Sequence, residues 1–303
     1  MFSHWSDPKS RGEDATIGKE RMHNIVDANG AARSSIRIVT IAQNVPGPVA
    51  VARLVADGAT AVKIEPPWGD PLKEHSLSWY DELHAGVRVE RLDLKSPADA
   101  QALRTLLGTA DVFLASHRPG ALARMGLDAD TLLHDIPGLR WLNIVGDTTN
   151  AEHAGHDLTY QAQAGLLQGG LPATLLADMI GAERAHAGVL ALMREAAGAR
   201  RVVGLADGLR DFAAPVRHQL TVKGGPLGGG NPAYGVYPAR DGLVAVAALE
   251  PHFRRRLYET LGLPDGSDLS AAFRGRTTTA WEQLGAERDI PIAAVRENPA
   301  SNT

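Results

Sequence analysis

Ile36-Arg37-Ile38-Val39-Thr40-Ile41-Ala42 opens the stretch that decides the fold, and Ala61-Val62-Lys63-Ile64-Glu65 closes it. The first run is almost continuously apolar and too short for a buried helix, so it predicts a strand covered on both faces. Between the runs, Pro46-Gly47-Pro48 offers proline at a first helical position and Gly58 a stop, so a helix fills the gap. Pro66-Pro67 ends the second run. A strand, a helix and a strand at this spacing make a βαβ unit, and such units build parallel sheets.

The alternation continues outward. Val87 to Leu94, Asp111 to Ala115 and Leu139 to Val145 read as further strands, Ser96-Pro97 as a helix start, and Asp128 to Leu133 as a helix. Asp178 to Ala197 is a long alanine-rich helix. Residues 36–215 are therefore expected to form one large, doubly wound α/β domain, preceded by a flexible leader over residues 1–35. Gly224 to Pro232 is too rich in glycine for a regular element, which makes 216–232 a linker or ligand loop. Tyr234 to Leu249 carries two apolar runs around Asp241-Gly242, a hairpin signal, with helices at Pro251 to Leu261 and Thr277 to Leu284. Residues 233–303 thus predict a smaller α+β domain.

With 44% hydrophobic and 22% charged residues, the 303-residue chain has the composition of a soluble globular protein. A formal charge of -4 supplies no basic field for nucleic acid or membrane, and no apolar run is long enough to cross a bilayer. Met1 to Arg11 lack the apolar core of a secretory signal. The absence of cysteine excludes disulfides, thiolate metal sites and a thiol nucleophile, and fits a cytoplasmic location.

Chemistry concentrates in three places. Ala154-Gly155-His156-Asp157-Leu158-Thr159-Tyr160 sets an imidazole beside a carboxylate at a helix start, Asp178 opens the long helix, and Glu250 precedes Pro251. A histidine among carboxylates points to proton transfer or carboxylate attack. Each residue also has a plainer reading. On spacing alone Asp178 is the N-cap of its helix, His156 and Asp157 begin a helix, and Glu250 is a solvated helix start. His153, His156 and Asp157 are only loosely spaced for a metal, and no further block supports one. The Gly224 to Gly230 run lacks the Lys-Ser/Thr of a phosphate-binding loop, and no Gly-x-Ser-x-Gly occurs.

Several blocks, taken in order, resemble the family III CoA-transferases, the CaiB/BaiF-like superfamily that also contains α-methylacyl-CoA racemases. They are Leu54-Val55-Ala56-Asp57-Gly58-Ala59, Val62 to Pro67, Leu92-Asp93-Leu94-Lys95-Ser96, Arg118-Pro119-Gly120 with Arg124, the His156-Asp157 and Asp178 blocks, and the glycine run leading to Tyr234 and Glu250-Pro251. The resemblance implies a Rossmann-like large domain, a CoA thioester as substrate with no cofactor or metal, and a homodimer of two interlocked chains. It places His156 and Glu250 as one acid/base pair, Asp178 opposite them and Asp157 alongside. Leu92, Asp93, Leu94, Arg118 and Arg124 fall where such proteins contact CoA, and Gly228, Gly229 and Gly230 on a loop that closes over the site. Histidine before Asp157 is the racemase-like choice. The chain departs from the family pattern at Gly146 to Asn150, which is shorter than the expected loop, and at Leu83-His84-Ala85-Gly86.

Two reactions follow from such a set. In α-proton exchange, His156 and Asp178 serve opposite faces of a planar intermediate, and the N–H groups opening the helix after Asp178 meet the enolate oxygen. In CoA transfer, Asp178 attacks the thioester and carries the acyl group as an anhydride. The His156–Glu250 pair favours exchange on a 2-methylacyl-CoA. A CoA-ester-binding protein without turnover is the remaining reading.

Overall fold

The structure, a computed structural model, describes residues 35–167 and 169–296, together with a short antiparallel ladder of β1 (Ile25–Val26) and β2 (Ala32–Arg33). The leader expected over 1–35 lies, that ladder and Ser35 apart, outside the described residues. The chain divides into two compact units, Met1–Asp211 and Phe212–Thr303.

In the first unit, six strands form one wholly parallel sheet: β3 (Arg37–Thr40), β4 (Thr60–Glu65), β5 (Val87–Arg91), β6 (Val112–Ala115), β7 (Arg140–Val145) and β8 (Arg200–Gly204). Their spatial order is β5-β4-β3-β6-β7-β8. The helix Pro46–Ala56 starts on its proline, and Gly58, at a φ of 98°, turns the chain into β4. Side chains alternate across the sheet as its period of two requires. Ile38, Val112, Leu114 and Leu142 enter one core with Val49, Leu54, Ala185 and Val189, from the helices Pro46–Ala56 and Leu176–Leu192. Val39, Phe113, Ala115 and Trp141 enter the other with Leu103, Leu107 and Leu132, from Pro97–Leu107 and Ala129–Asp135. Helices therefore cover both faces, and the doubly wound, Rossmann-like expectation is met.

Strand order reverses between β3 and β6. Loops leaving the carboxyl ends of those two strands run in opposite directions and leave a crevice, the usual ligand position in open α/β sheets. Two differences from the sequence reading matter here. The strand β8 is an edge with three exposed residues, so it carries no long apolar run. The long helix spans Leu176–Leu192, opening two residues before Asp178 and ending before Ala197.

The second unit holds an antiparallel sheet of β9 (Tyr234–Pro238), β10 (Leu243–Ala247) and β11 (Ile292–Ala294), in the order β11-β10-β9. Val244, Val246, Leu257, Phe273 and Trp281 form its core with the helices Pro251–Leu261, Ser270–Phe273 and Thr278–Arg288. Asp241 has a second task besides the hairpin turn, accepting the N–H of Thr278 at 2.7 Å to start the last helix. This is the smaller α+β unit that the sequence predicted. No helix among the described residues is long and apolar enough to cross a membrane.

Candidate active site

Two cavities meet at the crevice. One, of about 590 Å³, lies toward the ends of β4 and β5 and is lined by Glu65, Leu92, Asp93, Leu94, Lys95 and Arg124, among others. The second, of about 620 Å³, lies toward the ends of β6 and β7 and is lined by His156, Asp157, Tyr160, Asp178 and Arg118, among others. Both are lined by Gln43, which follows β3, and His117, which follows β6. The cavities are thus two halves of one trough across the switch point.

The first half can hold an anion. Lys95 and Arg124 are exposed, and among the described residues neither they nor Arg118 is engaged in an ion pair. On a protein of net charge -4 they make this half locally cationic without a general basic field. Asp93 is occupied structurally: its carboxylate accepts the Lys95 N–H at 3.1 Å and its carbonyl the Ser96 N–H at 2.7 Å. Arg118 lines the second half.

The second half holds the acid groups. His156 is the exposed N-cap residue of the helix Asp157–Gln163. Asp157, buried at 4% exposure, points back into the protein. Its Oδ1 accepts the N–H of Ala177 at 2.6 Å and of Asp178 at 3.2 Å, while Oδ2 accepts from Gln161 Nε2 at 2.6 Å. Asp157 therefore caps the helix Leu176–Leu192 from another helix, and the N-cap reading of Asp178 is corrected. The N-cap position is Leu175, and Asp178 is the third helical residue. The expected use of the N–H groups after Asp178 on an enolate oxygen is corrected too: that of Met179 bonds the Leu175 carbonyl at 2.9 Å within the helix, and Asp157 takes those of Ala177 and Asp178 before it. Half-buried Asp178 keeps its carboxyl for the cavity. Burial, and then the charge of Asp157, push its pKa up to about 7.

Tyr160, unassigned in the sequence reading, holds the cavity wall. A Cβ at Gly146 would come within 2.1 Å of its hydroxyl oxygen, and one at Gly155 within 2.3 Å, so any larger residue at either position would displace the Tyr160 ring. The short loop between those glycines is pinned further. Arg210 Nη1 donates to Asp147 at 2.8 Å, Thr148 N–H to Asp207 at 2.9 Å, and Gly120 N–H to Glu152 at 2.6 Å. The Arg210 hydrogen bond, seconded by Thr149, holds the Asp147 carboxyl well below the usual range.

Glu250 and Gly228 to Gly230 lie in the second unit. Glu250 is an exposed N-cap residue, and among the described residues its side chain makes no cap hydrogen bond. The glycines fold into a compact set of turns. A Cβ at Gly228 would lie 1.8 Å from the Val222 carbonyl oxygen, one at Gly230 2.4 Å from that of Gly224, and Gly229 has a φ of 95°. All three positions require glycine on local grounds alone.

A buried charge cluster backs the trough. Lys63, 1% exposed, contacts Asp70, Glu65 Oε1 at 3.1 Å and His84 Nε2 at 2.8 Å. Glu65, Asp70 and His84 stand close enough together to chelate a cation, but the Lys63 ammonium already bonds to all three. The Nδ1 of His84 lies 2.6 Å from the Tyr80 carbonyl oxygen, which can only accept, so the proton is on Nδ1 and Nε2 accepts from Lys63. Burial, partly offset by the Tyr80 bond and reinforced by Lys63, lowers the His84 pKa. With the folded value below the unfolded one, the unfolded chain binds the proton more readily, so stability falls on acidification through about pH 6.5. Asp178, with its pKa pushed up to about 7, adds stability over the same range, so the check is a difference: the wild-type midpoint minus that of His84→Gln should fall between about pH 7 and pH 5.5. A wild-type midpoint with the same pH dependence as that of His84→Gln would contradict the assigned tautomer.

A Rossmann-like sheet thus brings a cleft lined by free cations and a cavity lined by carboxyl groups together at its switch point. The model of CoA-transferase family III matches residues 34–300, and the chain belongs to that family. A CaiB/BaiF CoA-transferase family protein of Caenorhabditis elegans is 32% identical over 261 residues, covering 78% of this chain and 74% of its own. Human alpha-methylacyl-CoA racemase is 30% identical over 258 residues, covering 77% of this chain, which spans 65% of the racemase. The crystal structure of a Mycobacterium tuberculosis protein, Rv3272, superposes with a TM-score of 0.75 at 23% identity, covering 86% and 84% of the two chains, and supports the fold.

Proposed function

We propose that this protein processes an acyl-CoA at Asp178, and that the reaction is transfer of CoA from one carboxylic acid to another. The observation that carries the reading is Asp178 itself, a carboxyl held near neutrality in a cavity joined to a cleft with free cations. Lys95 and Arg124 hold the phosphates, the pantetheine arm passes Gln43 and His117, and the thioester reaches Asp178. The ionised carboxylate attacks the thioester carbon, the C–S bond breaks, and sulfur leaves as CoA thiolate. The acyl group remains on Asp178 as a mixed anhydride. An acceptor carboxylate displaces the first acid from that anhydride, and the thiolate then attacks the new acyl carbon and frees Asp178. The family model and the Caenorhabditis elegans relative, both named for CoA transfer, support this over the exchange that the His156–Glu250 pairing favours.

A specific observation keeps α-proton exchange as a second reading: His156 and Asp178 line one cavity, and a carboxyl near pH 7 suits a base. The roles of Glu250 and of Gly228 to Gly230, and an interlocked homodimer, belong to the same proposal. One assay separates the readings. The protein is incubated in D2O with a 2-methylacyl-CoA, with and without acceptor acids. A new CoA ester that requires the acceptor, and that survives His156→Ala, is the expected result. Deuterium at the α-carbon without acceptor, lost in His156→Ala, would replace transfer by exchange. Binding with neither product would leave a CoA-ester-binding protein.

A further inference from the structure

His117 has no role in the chemistry above, yet it stands where the two halves of the trough meet. Its place is fixed from both sides: it follows β6 at the switch point, and the wholly buried Asn143 of β7 donates from Nδ2 to its carbonyl at 2.9 Å. Its ring is unusual. Among the described residues Nδ1, which is buried, has no hydrogen-bond partner, which leaves Nε2 as the ring nitrogen open to the cavities. Burial lowers its pKa, so the imidazole is neutral. A buried lone pair without a donor costs less than a buried N–H without an acceptor, so we assign the single proton to Nε2. The trough thus receives one neutral N–H donor at the point where a ligand's arm enters the reaction cavity. A donor is also what that cavity lacks from the long helix, since Asp157 takes the N–H groups of Ala177 and Asp178.

We propose that His117 is a further catalytic residue, whose Nε2–H donates a hydrogen bond to the oxygen of the substrate's thioester carbonyl. The inference rests on the acyl-CoA reading but not on the choice of reaction. When Asp178 attacks the carbonyl carbon, the C=O π pair moves onto oxygen and returns as the C–S bond breaks. When the α-proton is removed, the C–H pair enters a C=C bond, the π pair again moves onto oxygen, and it returns on reprotonation. In both cases the oxygen gains negative charge and His117 keeps its proton. A donor fixed in advance at that atom strengthens as the charge develops, which favours the transition state over the ground state.

The test is steady-state kinetics of His117→Phe and His117→Gln in the full-length protein, using whichever thioester reaction the wild type catalyses. His117→Phe keeps a ring but loses the donor, and kcat should fall about 10²-fold with KM changing less than about threefold. His117→Gln presents an amide N–H and should recover at least about tenfold of that loss. If His117→Phe does not fold, His117→Ala takes its place, with the thermal midpoint of each variant confirming the comparison. A kcat within about threefold of wild type, or a rise in KM alone, would overturn the proposal while leaving the acyl-CoA reading intact. A wild-type protein that turns over no acyl-CoA would defeat both.

Discussion

Asp178→Asn is expected to abolish turnover of any acyl-CoA, with kcat/KM falling by at least about 10³-fold. An amide neither attacks a thioester nor accepts the α-proton, so the loss does not depend on which reaction operates. The fold should survive, because Asp178 contributes to the helix cap through its backbone N–H, which Asn retains. The substitution also removes a half-buried carboxyl that burial and Asp157 disfavour, so the thermal midpoint at neutral pH should hold or rise. Loss of activity with gain of stability is the signature of a group strained for function. The wild-type pH profile carries a second check. With the pKa pushed up to about 7, only the ionised fraction reacts, so kcat/KM should fall as pH drops below about 7. Asp157→Asn removes the second cause of the shift while keeping an acceptor for the cap, and should move that limb to lower pH. Residual turnover above about a tenth in Asp178→Asn, or a wild-type limb near the ordinary carboxylate value of about 4, would sink the assignment.

The sheet was legible because burial on both faces leaves continuous apolar runs. Ile36 to Ala42 and Asp111 to Ala115 could hardly be anything but central strands, and β3 and β6 are the two that frame the switch point. The edge strand β8 has three solvent-facing residues and offers no such run. The misreading of Asp178 as an N-cap has the same kind of cause. A local cap leaves a signal within three residues, whereas the carboxylate that caps this helix comes from Asp157, 20 residues before Ala177. His156 and Asp178 could be named from their blocks, and one cavity does bring them together. His117 could not, although it adjoins the quoted Arg118-Pro119-Gly120, because an unpaired ring nitrogen exists only once the chain has folded.

Lys63 shows how much of the site's support was hidden in this way, and its replacement should have the largest effect on stability. It sits in β4 amid apolar residues, and its partners Asp70 and His84 follow 7 and 21 residues later. Taking a lysine and two carboxylates out of water is costly, and their mutual attraction offsets that cost only while every partner is present. Lys63→Met would leave Glu65 and Asp70 buried without their shared cation, and should cost about 3–5 kcal/mol, or roughly 6–20 °C in thermal midpoint. Asp70→Asn in the same chain should return part of the loss by removing one unpaired charge, whereas two independent sites would simply add. The damage should also reach the ligand. Asp70 Oδ1 accepts the N–H of Asn44 at 3.0 Å and of Leu72 at 2.9 Å, and it holds Asn44 in the left-handed conformation at a φ of 62°, on the wall of the reaction cavity. Glu65 lines the cation-bearing half. One buried ammonium therefore braces both halves of the trough, and any Lys63→Met protein that still folds should bind CoA more weakly. A midpoint within about 2 °C of wild type would mean that water or rearrangement compensates the acids, and that the cluster is not the brace its geometry describes.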